Sequence, residues 1–508
     1  MNKLSRNWIL LIAAIALILG GLGIFIVQQK NIRTSFSDSP SKETMQEERP
    51  NRNTMGNMMT NEQNIELKNI SQSEQPLLIP PLLEPDSEND ENISYNITAK
   101  EGEFQIKEGK KTKTLGYNGD FLGPVIRMKK GQKVTLITTN EMKSKTSFHW
   151  HGLKIPSEVD GGPHQVVEPG EKKVISFTVD QDASTLWFHP HPEGETASQV
   201  YKGLAGLMYI DDENSDSLNL PDNYGKDDIP LIVQDKSFDS DNQIDYETDF
   251  YSDGTQGDTL LVNGTINPYI EVNSRWMRYR IISGSNSRNF TFSLKDNQPF
   301  YQIASDGGLL NSSTKLTSLT LSPGERAEIL VDTNDYKNGD TLKLLANNTV
   351  ALTMKINKNK SNTTFEPSKK LNSIKDIDTE NLDKLDRQKI DLKGMSHMVS
   401  INNKQFDADR IDLYKRVNTQ EVWEVNNISG MMGGMIHPFH IHGVQFQIIS
   451  RNGQLPQANE RGWKDTVLVN PEETVELLVE FDHEGVFMYH CHILEHEEYG
   501  MMGQMEIK

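Results

Sequence analysis

Four short stretches hold ten of the chain's 13 histidines: HWH at 149–151, HPH at 189–191, HPFHIH at 437–442 and HCHILEH at 490–496. Each contains a His-x-His pair. Residues two apart on a β-strand point to the same face, so each pair delivers two imidazoles side by side. His149, His151, His189, His191, His440, His442, His490 and His492 can therefore furnish eight imidazoles at one interface between distant parts of the chain. Imidazole suits copper, zinc, iron and nickel. A lone His-x-His is weak evidence for a metal, but chance does not place four of them in one chain.

The single cysteine, Cys491, cannot form an internal disulfide. It is an inert buried thiol, a reactive thiol or a metal ligand. In HCH, His490 and His492 share one face of a strand and Cys491 takes the other. One strand can thus serve two metal sites with a short covalent path between them. On the cysteine side lie His496 and then Met501, while His437 is the histidine of HPFHIH left outside its pair. One Cys, two His and a Met form the donor set of a blue-copper electron-transfer site, with Met as the weak axial ligand. Zinc more usually takes a closed site with several thiolates or histidines.

Short alternating segments such as KVTLITTN, KVISFTV, LKLLANN and TVELLVEF supply the strands that carry these groups, and long amphipathic helices are scarce. The pattern predicts an all-β fold of three Greek-key β-sandwiches. Their expected limits are 94–214, 225–360 and 395–508, with the charged stretch 361–394 connecting the last two. VEPGEKKVISFTV, LSPGERAEILVD and VNPEETVELLVEF repeat one form, a turn followed by an alternating strand, at a similar place in each block.

Before the first sandwich, residues 1–30 contain an apolar run from Trp8 to Val27 behind Lys3 and Arg6. It reads as an uncleaved signal anchor, with a cleaved export signal as the alternative, and puts the rest of the chain outside the cytoplasm. Residues 31–93 read as a flexible polar spacer, in which LLIPPLLEP at 77–85 is expected to pack on the first sandwich as an extended strap. The formal net charge of -20, from 72 acidic and 52 basic residues, argues against nucleic acid as a partner. A monomer is expected, membrane-anchored at the cell surface or secreted.

With all four histidine motifs in order over roughly 90–508, the chain resembles the multicopper oxidases: laccases, bacterial cuprous oxidases, bilirubin oxidases and ferroxidases. The resemblance implies three cupredoxin domains and four copper ions. The type 1 copper would be held by His437, Cys491 and His496 with Met501 axial, and the type 2 copper by His149 and His440. Of the type 3 pair, one copper would take His151, His189 and His492, the other His191, His442 and His490. It further implies single-electron oxidation of a substrate near the type 1 site, with four-electron reduction of dioxygen to water between the first and third domains.

Proton supply to such a cluster needs carboxylates. Asp160, nine residues past His151, and Glu497, next to His496, match acids that similar enzymes use, although each could equally be a structural acid. For the electron donor, SGMMGGMIHPFH places Met431, Met432 and Met435 just before His437, and soft thioethers favour Cu(I). Gly433, however, stands where similar cuprous oxidases carry Asp, and beyond GMSHM at 394–398 the connecting stretch offers no methionine. Cu(I), in a copper-tolerance role, and small phenols or aromatic amines both remain open as substrates. A copper-binding protein without turnover is the alternative of a different class.

Overall fold

The computed structural model describes residues 65–68, 70, 72–246, 253–361, 365–430 and 434–508. The apolar run read as an anchor, and Met431 and Met432, lie outside these residues. Among the described residues, no helix is long and apolar enough to cross a membrane.

Strands dominate, in three successive sandwiches. In the first, a sheet built on Asn92–Phe104, Lys133–Asn140 and Lys172–Thr178 faces a smaller sheet of Val125–Lys129, Gly206–Asp211 and Ser184–Phe188. The alternation in KVTLITTN works as expected: Val134 and Leu136 enter the core while Thr135 between them and Ile137 after them are only partly buried. The second sandwich packs two six-stranded sheets around Tyr279, Ile281, Phe290, Phe292 and Ile329. The third packs two five-stranded sheets around Trp423, Phe439, Phe446 and Phe481. Its inner strands include His437–Ile441 and Gly485–Cys491, which pair antiparallel with His440 opposite His490.

Two segments depart from the sequence reading. In the stretch expected to be spacer up to residue 93, the described residues from 65 onward are built into the fold, and the strap reaches beyond the first sandwich. Gln75–Pro76 adds a parallel strand to the edge of the second sandwich, and Leu77 enters that core. Only then does the chain reach the first sandwich, where Leu83 N–H donates to the Val125 carbonyl at 2.8 Å. The polar surroundings concealed this, because Leu77, with Leu67 and Ile79 packed against the same core, and a few backbone hydrogen bonds suffice to hold an edge strand. Pro80 and Pro81 then keep the segment extended without needing ladder donors.

The second departure is in the charged connection. Its end, Asp386–Lys393, is a strand of the third sandwich, parallel to Thr419–Ile428. Ile390 and Leu392 alternate into the core between charged neighbours, a short period-two signal within a charged stretch.

Candidate metal centres

The H-x-H geometry is realised at each motif. His149 and His189 face each other in an antiparallel bridge, and Trp150 between the HWH histidines turns into the core of the first sandwich. The loop carrying Asp160 tucks beneath this segment. Gly161 makes that approach possible: at φ +83° a Cβ would lie 1.8 Å from the Phe148 carbonyl oxygen. At the far end of the chain, His490 and His492 project toward the first sandwich while Cys491 faces the core of the third.

Around Cys491 the chain folds back on itself. The short helix Leu494–Glu498 carries His496, Cys491 N–H donates to the Met501 carbonyl at 3.0 Å, and Met501 N–H donates to the His496 carbonyl at 2.8 Å. The Cys491 Sγ lies 3.5 Å from His437 Nδ1 and 3.7 Å from His496 Nδ1, all fully buried, with Met501 equally buried in the loop that closes the site. Burial pushes the Cys491 thiol up and lowers His437 to about 4, the latter offset in part by the Gly394 backbone. With the thiol and both imidazoles neutral, the site carries no charge of its own, and a thiolate would be stable here only with a metal cation to balance it.

Between the first and third sandwiches, eight histidines converge with almost no exposure. His490 Nε2 lies 3.3 Å from His191 Nε2 and 3.1 Å from His442 Nε2. The opposite nitrogens are engaged: His442 Nδ1 lies 2.8 Å from Asp160 Oδ2, and His490 Nδ1 3.1 Å from the Cys491 carbonyl oxygen. Lone pairs therefore point at a common centre. His151, His189 and His492 form a second set, and His149, His151 and His440 a third, each with its donor atoms within 4.8 Å of one another. His149 Nδ1 lies 3.0 Å from the Asp160 carbonyl oxygen and His440 Nδ1 2.8 Å from that of Asp465. Their Nε2 atoms, with His189 Nε2 and His151 Nδ1, are buried without a hydrogen-bond partner. Orphaned imidazole nitrogens at this density are costly unless they bind something, and the donor set fits copper.

Burial, reinforced by neighbouring imidazoles, pushes His151, His189, His191, His440 and His490 well below the usual histidine range and His492 to about 3. Burial also lowers His442, to about 4, against the pull of Asp160. These rings are neutral, as metal ligands must be.

The two acids singled out in the sequence both reach the cluster, in opposite states. Burial alone would raise the Asp160 carboxyl, but His149 and His442 hold it well below the usual carboxylate range. Glu497 is pushed well above that range by burial and by the charges of Glu498 and Glu495. Its Oε1 lies 3.3 Å from His191 Nδ1 and its Oε2 3.3 Å from His490 Nδ1. A cavity of about 150 Å³, lined by His191, Glu193, Gln405, Glu497, Glu498 and Met502, runs beside it.

The methionines divide differently from expectation. Met435 is buried in the core of the third sandwich at 6% exposure, its carbonyl bonded by Asn427, because the chain is already turning into the His437–Ile441 strand. In GMSHM, Met395 packs on that core and Met398 is 51% exposed. Asp465 and Arg326 were not singled out from the sequence. Asp465 lies 3.0 Å from His151 Nε2, and Arg326, from the second sandwich, forms a fork on it.

Three sandwiches with one Cys-His centre and one multi-histidine centre define a metalloprotein with two linked donor sites. Family models described as multicopper oxidase match residues 98–215, 218–363 and 376–508. The multicopper oxidase mco of Staphylococcus epidermidis is 43% identical over 463 residues, covering 91% of this chain and 99% of the relative. The crystal structure of a laccase from Pediococcus acidilactici is 44% identical with a TM-score of 0.82, covering 87% of this chain and 95% of that one. The cell division protein FtsP of Escherichia coli is 34% identical, covering 85% of this chain and 92% of the relative. The chain belongs to the multicopper oxidase family and is an oxidoreductase.

Proposed function

We propose that the chain couples one-electron oxidation of a small donor to four-electron reduction of dioxygen to water, holding four copper ions. The observation that carries this reading is the complete, buried donor set: ten histidines and Cys491 with none missing. A relative of this fold with no redox role has no use for so many unpaired buried nitrogens. In this reading His437, Cys491 and His496, with Met501 as a further ligand, would hold the type 1 copper, and His149 and His440 the type 2 copper. His151, His189 and His492 hold one type 3 copper and His191, His442 and His490 the other, in keeping with the grouping of their donor atoms. Copper bound there supplies single-electron chemistry on the cysteine side and dioxygen reduction on the histidine side.

The chain's own residues do the rest. Cys491 is joined by one peptide bond to His490 and one to His492, a short covalent path between the centres. Asp160 stays ionised and fixes the rings of His442 and His149. Glu497 holds a proton beside His191 and His490, next to a cavity through which protons and water can exchange. Environments that drive two carboxyls in opposite directions mark an orienting base and a proton donor.

Cu(I) is the donor we favour, in a copper-tolerance role. Met395 follows directly on Gly394, whose backbone adjoins His437, and the exposed Met398 stands three residues further on. Phenol or aromatic-amine oxidation is the second reading, supported by the likeness to a laccase. Dioxygen uptake by copper-loaded protein with Cu(I), against uptake with dimethoxyphenol with and without added Cu(II), separates the two. Phenol turnover indifferent to Cu(II), with poor use of Cu(I), sinks the metal-oxidase reading. No blue colour and no dioxygen uptake sinks the oxidase reading. The apolar run at 8–27 supports work outside the cytoplasm, anchored or secreted.

A further inference from the structure

Of the three similar turns in the sequence, only the second touches the cluster. At the position of Arg326, the first turn carries an exposed Lys172 and the third a partly exposed Thr474, whereas the Arg326 side chain is fully buried. Gly324, at φ +85°, brings its backbone so close to His492 that a Cβ would lie 2.9 Å from the ring.

Two residues on, Arg326 Nη1 donates to Asp465 Oδ1 at 2.7 Å and Nη2 to Oδ2 at 2.6 Å. The remaining three guanidinium directions are also taken: Nε donates to the Thr185 carbonyl of the first sandwich at 3.1 Å, Nη1 to the Gly324 carbonyl at 3.1 Å and Nη2 to the Asp306 carbonyl at 2.9 Å. The neighbouring Lys464 is braced by Asp306 at 2.9 Å and Glu325 at 3.1 Å.

Held this way, Asp465 presents Oδ1 to His151 Nε2 at 3.0 Å and its backbone oxygen to His440 Nδ1 at 2.8 Å. His151 Nε2–H is thereby committed outward, and Nδ1, buried and without a partner, is the nitrogen left for the cluster. A planar fork fixes both carboxylate oxygens at once, which a lysine ammonium cannot do.

We infer that Arg326 is a positioning residue for the copper cluster: from the domain that contributes nothing to the donor sets found among the described residues, it fixes Asp465 and through it the orientation of His151 and His440. The inference rests on the copper reading above. It gives the second sandwich a part in the chemistry, since partners that orient metal ligands govern metal affinity and activity about 10–100-fold.

The test compares copper-loaded wild type with Arg326→Met and Arg326→Lys, measuring copper per chain, the blue band, the type 2 electron paramagnetic resonance hyperfine coupling and copper retention against a chelator. Arg326→Met should keep the blue band of the Cys491 site while its type 2 coupling shifts and its cluster copper is retained about 10–100-fold more weakly. Arg326→Lys, which keeps the charge without the fork, should move the same readouts to a smaller degree. A role confined to holding domains together would lower the melting temperature and leave the type 2 coupling unmoved. Unchanged coupling and full cluster copper in Arg326→Met overturn the inference while leaving the copper reading intact. Should that variant not fold, Asp465→Asn decides by the same criteria: a shift supports the relay and none overturns it. Wild type that takes up no copper overturns both.

Discussion

Asp160 Oδ2 lies 2.8 Å from His442 Nδ1, a carboxylate of the first sandwich orienting an imidazole of the third. The same residue's carbonyl oxygen lies 3.0 Å from His149 Nδ1. One acid thus sets the rings of two histidines on different domains, each with its Nε2 turned inward. Asp160→Ala should lower turnover or cluster copper affinity by about 10–100-fold, the usual effect of losing a partner that orients a ligand. Asp160→Asn, which can still offer an oxygen to His442, should fall between. Copper content and steady-state kinetics measured together decide it. Full copper and wild-type turnover in Asp160→Ala would exclude the orienting role.

Glu497 calls for a different outcome, because it keeps its proton where Asp160 has lost its own. Glu497→Gln preserves shape and removes the transferable proton. We expect the blue band and copper content to hold while turnover drops about 10²–10⁴-fold, the range for a lost general acid. The sign with pH follows from the upward shift. Wild-type turnover should decline as pH rises through the raised Glu497 value, and that limb should vanish in the variant. Identical pH profiles for the two proteins would remove Glu497 from proton supply.

Much of the site could be read from the sequence because strand geometry is simple. A period of two makes His-x-His a statement about shared faces, and the HCH motif follows the same rule at His490, Cys491 and His492. Partners that meet through folding alone left no such trace. Arg326 and Asp465 are 139 residues apart, and nothing near either announces the other. The strap was legible in LLIPPLLEP, and its contact with the first sandwich follows that reading, but its hold on the second sandwich was not, because the Gln75–Pro76 pairing and the burial of Leu77 depend on where the fold brings that edge. Met435 stands two residues before His437, where a soft donor for a substrate would be useful, yet its side chain is buried in the core of the third sandwich.

Cys491 is the sole thiol of the chain and shares one buried donor set with His437 and His496. Cys491→Ser should be colourless and without turnover, while the cluster, built from other side chains, still binds copper. The useful measurement is copper per chain alongside visible absorption. A Cys491→Ser protein that remains blue, or active wild type containing zinc alone, would contradict the assignment.

The metal-free protein should be acid-sensitive in a defined window. Nine of the ten clustered histidines are lowered by burial, with His437 and His442 at about 4 and His492 at about 3. Unfolded histidines titrate near about 6.5. Between that value and the lowered ones, the unfolded chain binds protons that the folded chain refuses, so folding stability falls as pH drops. Each such group costs on the order of 1 kcal/mol per pH unit once well below about 6.5. Asp227 and Glu497, both raised, Asp306, raised to about 6, and Glu498, raised to about 7, act in the opposite sense, but four carboxyls stand against nine imidazoles. Urea denaturation of metal-free protein at pH 7 and pH 5 should therefore give a markedly lower midpoint at pH 5. Copper should narrow the difference, because it binds the neutral rings only in the folded state. A metal-free midpoint that is flat across this range would mean that the rings are not buried as neutral groups, and the case for a preformed cluster would fall with it.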